Sequence, residues 1–213
     1  MPLQGCYGDA DGHHAAAALI AQARHYVERL NALDMRAVLG RVRGTGPGVS
    51  FGAVIETIRR GFPIDMQSPF EGSENVSGGI LLPASWGTDG DDGFLFLRFS
   101  PGTKDLPLHS HEHSDRFIYV LGGRGFFCVS EAAGEGGRDQ TVRRVPIRSR
   151  DVVMFKRGVV HTFETANEPL RLLSYHAPFV PLNDPKQYSI APIGHRSQEE
   201  PTIQCDAAWL RLG

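Results

Sequence analysis

A cluster of imidazoles and carboxylates lies near the middle of the chain, where residues 109–115 read His-Ser-His-Glu-His-Ser-Asp. Alternate side chains of an extended strand point to one face, so the three histidines and the final aspartate are predicted to project together. A further histidine follows a glycine turn downstream. Imidazoles and carboxylates are typical ligands of divalent transition metals, so the spacing predicts a metal site shared by two strands. The candidate ligands are His109, His111, Asp115 and His161, with His113 as a further candidate.

The segments around these residues resemble the two sequence motifs of the cupin superfamily. The first motif is a glycine, about five residues, His-x-His, three or four intervening residues, a glutamate, six residues and a second glycine. In this chain it is matched at Gly102, His109, His111, Asp115 and Gly122, with aspartate in place of glutamate. The second motif is matched at Asp151, Gly158 and His161, whereas Arg150, Lys156 and Thr165 stand where the family has glycine, proline and asparagine. Both motifs occur in the expected order, and the resemblance covers roughly residues 78–180.

The resemblance implies a mainly β protein, a cupin-type jelly-roll β-barrel, here with an N-terminal α-helical extension. It also implies that His109, His111 and His161 bind a metal ion. Asp115 is shorter than glutamate by one methylene, so it is predicted either as a fourth ligand or as an acceptor for the N–H of a ligating imidazole. His113 is predicted as an additional ligand or a proton carrier. The alternative is a barrel that keeps the motif without binding a metal.

The N-terminal part of the chain predicts helices. Residues 13–39 contain neither glycine nor proline and repeat apolar residues at helical spacing, so an amphipathic helix ending before Gly40 is predicted. A shorter helix is predicted over residues 50–60, with Ser50 as its N-cap. The first helix either braces the barrel, as a packing or dimer element, or covers the barrel mouth. We expect the bracing role, because amphipathicity by itself signals only burial.

From about residue 64 the pattern changes to short β-prone runs separated by glycine, proline and aspartate turns. This pattern is typical of a β-sandwich or barrel. The predicted strands are 79–82, 94–99, 117–121, 125–130, 141–145, 151–155, 161–164 and 170–176. The predicted organisation is a helical extension over residues 1–63, a β-barrel over 64–182, and a C-terminal tail over 183–213 that packs on the barrel or a partner.

Composition indicates a globular protein that acts on neither nucleic acid nor membranes. The chain has 213 residues and a formal net charge of -2, so it offers no basic surface for a polyanion. Cys6, Cys128 and Cys205 are odd in number and widely spaced, which predicts thiols in a reducing compartment. We recognise no secretory signal and no apolar stretch of membrane-spanning length. A cytoplasmic location is therefore expected.

Several strand residues are predicted to line the site or to contact a substrate. The aromatic candidates are Phe94, Phe96, Phe117, Tyr119, Phe155 and Phe163. Arg98 is predicted to clamp a substrate carboxylate, Tyr119 to offer a hydroxyl near the metal, and His176 to act as an acid or base. For Arg98 and His176 the alternative is structural, as a surface salt bridge or a strand-end hydrogen bond.

The cupin resemblance implies a metal-dependent enzyme, since dioxygenases, isomerases, lyases and epimerases all use this site. The leading prediction is a non-haem Fe(II) dioxygenase or other oxygenase that acts on a small organic molecule, because imidazole-rich ligation suits a redox-active ion. Mn(II), Ni(II), Cu(II) and Zn(II) are the alternative metals. The competing predictions are an isomerase or lyase that uses the metal as a Lewis acid and a small-molecule-binding cupin without turnover. The resemblance also implies a homodimer.

Overall fold

A computed structural model of the chain describes residues 10–33, 35–42, 64–70, 72–82, 91–130, 142–191 and 210–212. The second helix predicted over residues 50–60 lies outside these ranges. The described residues are mostly β, with an N-terminal helix, as predicted. The elements are α1 (Ala10–Asn31), β1 (Ala37–Val42), β2 (Val76–Leu82), β3 (Gly93–Phe99), β4 (His109–Ser110), β5 (Asp115–Ser130), β6 (Val142–Arg148), β7 (Asp151–Phe155), β8 (His161–Glu164), β9 (Leu170–Ala177), β10 (Ser189–Ile190) and β11 (Leu210–Leu212).

The strands form a curled sheet in which β5 is the central element. Hydrogen-bonded neighbours follow the order β10, β4, β8, β5, β7, β1 and β11, while β9 joins β5 to β3 and β2. The first half of β5 pairs with β7 and β9, and its second half pairs with β6 and β8. One long strand therefore belongs to both layers of the jelly roll and connects the two.

The two halves of β5 meet at Gly122 and Gly123, where the sequence predicts a turn between two separate strands. The strand instead continues through this pair, with an irregular register between Val120 and Gly122. Gly123 has a φ of 83°, and a Cβ at this position would lie 1.7 Å from the Pro169 carbonyl oxygen. A positive φ is costly for other residues, and the close approach leaves no room for a side chain, so Gly123 allows a bend within one strand where a turn was predicted.

The helix predicted over residues 13–39 is too long at its C-terminal end. Helix α1 ends at Asn31, and residues 37–42 form β1, which pairs antiparallel with β7. Alanine, leucine and arginine favour helices in isolation, but the pairing with β7 and the burial of Val38 and Leu39 outweigh that preference. In the described ranges, no helix has both the length and the apolarity needed to cross a membrane.

Two apolar clusters lie on opposite faces of the sheet at β5. Phe117 and Tyr119 belong to an outer cluster that α1 covers, whereas Ile118 and Val120 belong to the inner cluster that fills the barrel. The Tyr26 ring of α1 stacks on Phe117 with a centroid separation of 5.3 Å. The other α1 residues of the outer cluster are Leu19, Ile20, Ala23, Val27 and Leu30. Helix α1 therefore packs as a brace on the outside of the barrel.

Replacing Gly123 with alanine is expected to destabilise the protein much more than replacing Gly102. Gly102 has a similar φ of 77°, but no described atom lies within 4 Å of the Cβ it would gain. Gly102→Ala thus adds only backbone strain of about 1–2 kcal/mol. Gly123→Ala adds a steric clash with the Pro169 carbonyl that costs roughly 1–3 kcal/mol more. Urea unfolding of both variants measures the difference, and equal losses would contradict the close approach at Gly123.

Candidate metal centre

Three buried histidines lie together where β4 pairs with β8. His109 on β4 stands directly opposite His161 on β8, and His111 follows immediately after β4. One ring nitrogen of each histidine lies within 4.8 Å of the corresponding nitrogens of the other two. The ring centroids are separated by 4.5 Å, 5.0 Å and 5.3 Å. Three imidazole nitrogens at this spacing form a candidate metal site.

Each imidazole is held at its Nδ1 atom by a backbone carbonyl oxygen. The contacts are His109 to Pro107 at 2.8 Å, His161 to Val159 at 2.9 Å and His111 to Gln187 at 2.5 Å. A carbonyl oxygen only accepts hydrogen bonds, so in the neutral ring Nδ1 carries the proton and Nε2 presents its lone pair. The same contacts fix the orientation of each ring, as is usual for histidines that bind metals.

Burial keeps the three imidazoles neutral. It lowers the pKa of His109 to about 4; the Pro107 carbonyl opposes this shift and the charge of Arg116 adds to it. Burial is also the largest cause that lowers the pKa values of His111 and His161, and Arg116 again contributes in the same direction. At neutral pH, protons therefore do not compete with a metal ion for these ring nitrogens.

Aromatic rings pack around the imidazoles, but only part of the predicted lining is among them. The Phe155 and Phe163 rings have centroids 4.1 Å and 6.0 Å from that of His161. The rest of the predicted lining lies on the outer side of the sheet. Phe94, Phe117 and Tyr119 belong to the outer cluster, and Phe96 pairs with Leu173 of that same cluster.

Two aromatic residues that were not predicted from the sequence lie on the other side of the site. The Phe70 ring is 4.7 Å from His109 and 4.2 Å from Tyr188, measured between centroids. Tyr188 precedes β10, which pairs with β4 and so brings the region after residue 182 to the metal centre. Neither residue belongs to a motif, so the sequence carries no local signal for its position.

Asp115 lies on the outer face of β5, which it shares with Phe117 by strand alternation. Its carboxylate accepts hydrogen bonds from the Arg157 backbone N–H at 2.9 Å and from the Asn31 amide at 3.2 Å. Burial alone would raise the pKa of Asp115, but the hydrogen bonds from Arg157 and Asn31 outweigh it and lower the pKa. The predicted ligand role of Asp115 is therefore corrected. This carboxylate links β5 to α1 and to the turn before β8.

The correction for Asp115 has a simple geometric cause. The chain does not stay extended from His109 to Asp115, because β4 ends at Ser110 and the backbone bends at residues 112 and 113. Because of these bends, the alternation of side chains along β4 does not continue into β5. His113 lies on the bend with its side chain exposed, away from the three-imidazole group.

Only one of the three predicted substrate-contacting residues lies near the imidazoles. The His176 ring centroid is 6.4 Å from that of His111, and its Nε2 is 2.9 Å from the Ser174 hydroxyl. Arg98 is exposed on β3, since the face it shares with Phe94 is the outer one. Tyr119 packs beneath α1, where burial raises the pKa of its hydroxyl. The predicted site roles of Arg98 and Tyr119 are therefore corrected.

Arg116 occupies the inner face of β5, and its role was not predicted. It is 1% exposed and pairs across strands with Phe155 on β7 and His176 on β9. In the first cupin motif the glutamate follows His-x-His after three or four residues, and the four-residue form places it at Arg116. That alternative spacing is the signal that could have identified this position from the sequence.

Comparison with known protein families finds a match for part of the chain. The family model described as "Cupin domain" matches residues 95–176. No curated protein matches the chain significantly. Together the fold and the three imidazoles define a jelly-roll protein with a candidate metal site. The match over residues 95–176 identifies this part of the chain as a cupin domain.

Several solved structures are similar to part of the chain. The polyketide cyclase RemF from Streptomyces resistomycificus is 20% identical, with a TM-score of 0.42 over 55% of this chain and 75% of that chain. An oxalate decarboxylase from Lactobacillus farciminis is 18% identical, with a TM-score of 0.43 over 55% of this chain and 32% of that chain. A sugar phosphate isomerase of the cupin superfamily from Silicibacter pomeroyi is 20% identical, with a TM-score of 0.42 over 55% of this chain and 73% of that chain.

The donor set fits a divalent transition metal. Three neutral imidazoles with fixed rings suit Fe(II), Ni(II), Cu(II) and Zn(II) better than Mg(II) or Ca(II), which prefer oxygen ligands. Among the described residues, the group of potential ligands comprises the three histidines without a carboxylate. Three protein ligands leave coordination positions open on a six-coordinate ion, so the set fits a catalytic rather than a closed structural site.

Replacing His161 with alanine is expected to abolish tight metal binding, because two imidazoles remain and the chelate is lost. His113→Ala is the matched control, since this histidine lies in the same motif but is exposed and outside the group. Titration with Fe(II) under nitrogen, followed by metal analysis, should give about one ion per chain for the wild type and for His113→Ala. Equal metal content in His161→Ala would contradict the three-imidazole site.

Replacing Asp115 with asparagine is expected to leave metal binding intact and to lower stability. The loss at pH 7 should be about 1–2 kcal/mol, because the hydrogen bonds to the buried carboxylate come partly from an exposed arginine. The pKa of Asp115 is lowered in the folded protein, so its stabilising effect is present above the unfolded pKa of about 4 and is lost as pH falls below it. Urea unfolding between pH 7 and pH 3 should show the two proteins converging in acid. Loss of the metal in Asp115→Asn would instead restore the ligand role.

Proposed function

We propose that this protein is a metal-dependent cupin enzyme, and specifically a non-haem Fe(II) dioxygenase or related oxygenase that acts on a small organic molecule. The observation that carries the proposal is the contact between each imidazole Nδ1 atom and a backbone carbonyl oxygen. Because each Nδ1 donates to a carbonyl, three neutral Nε2 atoms are available to one ion. Such preorganisation favours metal binding, because the ring nitrogens of the three histidines lie within 4.8 Å of one another with their rings already oriented.

The ion would be held by His109, His111 and His161. A ferrous ion in this position supplies one-electron redox chemistry and open coordination positions for substrate and dioxygen. The three neutral rings would not offset the positive charge of the ion. An anionic ligand could therefore bind to it favourably. Mn(II), Ni(II), Cu(II) and Zn(II) remain alternatives, since ligand type alone does not choose among them.

The surrounding residues of the chain have two functions in this proposal. Phe155 and Phe163 on one side and Phe70 on the other exclude water from the imidazoles and provide apolar surface for an organic substrate. His176 lies close enough to exchange a proton with a bound molecule, with Nε2 against the Ser174 hydroxyl. Among the described residues no hydrogen-bond partner contacts the His176 Nδ1 atom.

The position of His176 also favours a second candidate, an isomerase or lyase in which the metal acts as a Lewis acid. Such a reaction needs a group that removes and returns a proton near the metal-bound substrate. The buried His176 imidazole, whose ring centroid is 6.4 Å from that of His111, suits that task. A cupin that binds a small molecule without converting it is the remaining alternative. Only the oxygenase consumes dioxygen, and only the binding cupin leaves the small molecule unchanged.

Composition supports a proposal about the setting of this chemistry. A net charge of -2 and three widely spaced cysteines agree with a cytoplasmic protein whose partner is a small-molecule substrate rather than nucleic acid or a membrane. A homodimer is proposed from the cupin resemblance. Sedimentation analysis of the full chain tests the dimer independently of any activity.

The reaction class is tested with protein loaded with Fe(II) under nitrogen and then supplied with air-saturated buffer. A panel of small carboxylic acids, phenols, thiols and diketones is added in turn in an oxygen electrode. The proposal predicts that at least one compound triggers oxygen uptake equal to the amount of compound consumed, and that His161→Ala shows none. Conversion of a compound at the same rate without oxygen would contradict the oxygenase proposal and support the isomerase or lyase.

The same panel separates the roles of His176. Replacement with glutamine is expected to lower kcat at least roughly a hundredfold if this residue transfers a proton, because general acid–base catalysis typically contributes that much. The metal content should stay unchanged, since His176 is outside the group of potential ligands. An unchanged kcat would assign His176 a packing role against Phe179, whose ring centroid lies 5.5 Å away.

A further inference from the structure

Arg116 is the most deeply buried charged residue near the metal centre. It is 1% exposed and is among the largest fully buried side chains of the chain. It belongs to the inner face of β5, between its cross-strand partners Phe155 and His176. Phe155 contacts His161, and His176 lies near His111, so the residues beside Arg116 are those that line the imidazole group.

The guanidinium of Arg116 is only partly hydrogen-bonded. Its Nη2 donates to the Gln187 side-chain oxygen at 3.3 Å. Within the described part of the chain, neither Nε nor Nη1 has a hydrogen-bond partner. Burial lowers the pKa of Arg116, and Asp115 opposes that shift from the other face of the strand while it is bonded to Arg157. A buried guanidinium with two unused nitrogens and no bonded carboxylate is costly unless a ligand satisfies it.

The charge balance at the candidate metal centre also favours an additional ligand beside Arg116. Three neutral imidazoles contribute no negative charge, and Arg116 stands where the four-residue form of the cupin motif has its glutamate. A divalent ion and a guanidinium would therefore carry three positive charges between them, and the group of potential metal ligands among the described residues contains no carboxylate. An anion that bridges the two cations would neutralise part of this charge and supply the missing acceptors.

We infer that Arg116 binds the carboxylate of a small organic acid beside the three imidazoles, and that small carboxylic acids are the substrate class of this protein. A planar guanidinium pairs with a carboxylate through two parallel N–H···O bonds. The side-chain oxygen of Gln187 accepts a hydrogen bond from Arg116 Nη2, and the backbone carbonyl of Gln187 contacts His111 Nδ1. One residue of the C-terminal region thus contacts both the metal ligand and the anion-binding group.

A carboxylate fits this position better than a phosphate does. A single arginine provides one positive charge, and its cross-strand partner Phe155 is apolar, whereas phosphate sites usually combine several cationic or backbone N–H donors. The inference rests on the proposed function only in calling the acid a substrate. Binding of the acid itself depends on Arg116 and does not require the metal.

Carboxylate binding is tested first on the metal-free full chain, by thermal unfolding in the presence of a chelator. The probes are acetate and benzoate, with acetamide and benzamide as neutral counterparts of the same shape and inorganic phosphate as a competing anion. We expect the carboxylates to raise Tm in a concentration-dependent manner by several degrees and the amides to leave it unchanged. Larger stabilisation by phosphate than by both carboxylates would overturn the choice of a carboxylate.

Arg116→Met is the informative variant, because it removes the charge and keeps the length of an apolar side chain. It should fold, and its Tm without ligand should equal or exceed that of the wild type, since an uncompensated buried cation is removed. Its affinity for benzoate should fall roughly tenfold or more, the loss expected for charge-assisted hydrogen bonds. Arg98→Met is the matched control, because Arg98 is exposed on the outer face of β3, and it should bind benzoate like the wild type.

The outcomes separate this inference from the proposed function. Equal benzoate binding by Arg116→Met and the wild type, or no carboxylate binding by either, would overturn the inference whether or not Fe(II) binds. Benzoate binding that depends on Arg116 in a chain that binds no metal would support the inference and contradict the proposed enzyme. If the carboxylate inference and the proposed metal site are both correct, benzoate should raise the affinity for Fe(II), and Fe(II) should raise the affinity for benzoate by the same factor.

Discussion

Three hydrogen bonds from buried imidazoles to backbone carbonyls determine what this barrel can do. Each carbonyl requires a proton on Nδ1, and the opposite nitrogen is thereby left as an electron-pair donor. Burial reinforces this state by lowering the pKa of all three rings. The carbonyls come from the segment before β4, the turn before β8 and the region before β10. The proposed metal chemistry therefore depends on three parts of the fold meeting at one place.

The direction of side chains along β5 decides the charge of the same site. Asp115 and Arg116 are neighbours in sequence, and strand alternation sends them to opposite faces of the sheet. The aspartate joins Arg157 on the outer side, and the arginine faces the imidazoles. A shift of one residue would exchange the two and place a carboxylate among the histidines. The observed register instead gives a site with no negative charge from β5, which makes an anionic ligand the natural counterpart of a bound cation.

Features that depend on short motifs were predicted correctly from the sequence. Features that depend on contacts between distant segments were not. His109 and His161 were predicted as ligands because each lies in a short motif with a recognisable turn nearby, and strands β7 and β8 were predicted with their observed limits. Asp115 was assigned to the wrong face because the bends at residues 112 and 113 carry no strong signal. Residues 37–42 were predicted as helix because their pairing with β7 is a contact between distant segments.

The central claim is that three histidines without a carboxylate hold the metal. Crystals of the protein loaded with Fe(II) under nitrogen, measured with anomalous diffraction at the iron edge, test it most directly. The prediction is one anomalous peak bonded to Nε2 of His109, His111 and His161, with Asp115 still hydrogen-bonded to Arg157. A peak bonded to the Asp115 carboxylate, or no peak at the three imidazoles, would contradict the claim.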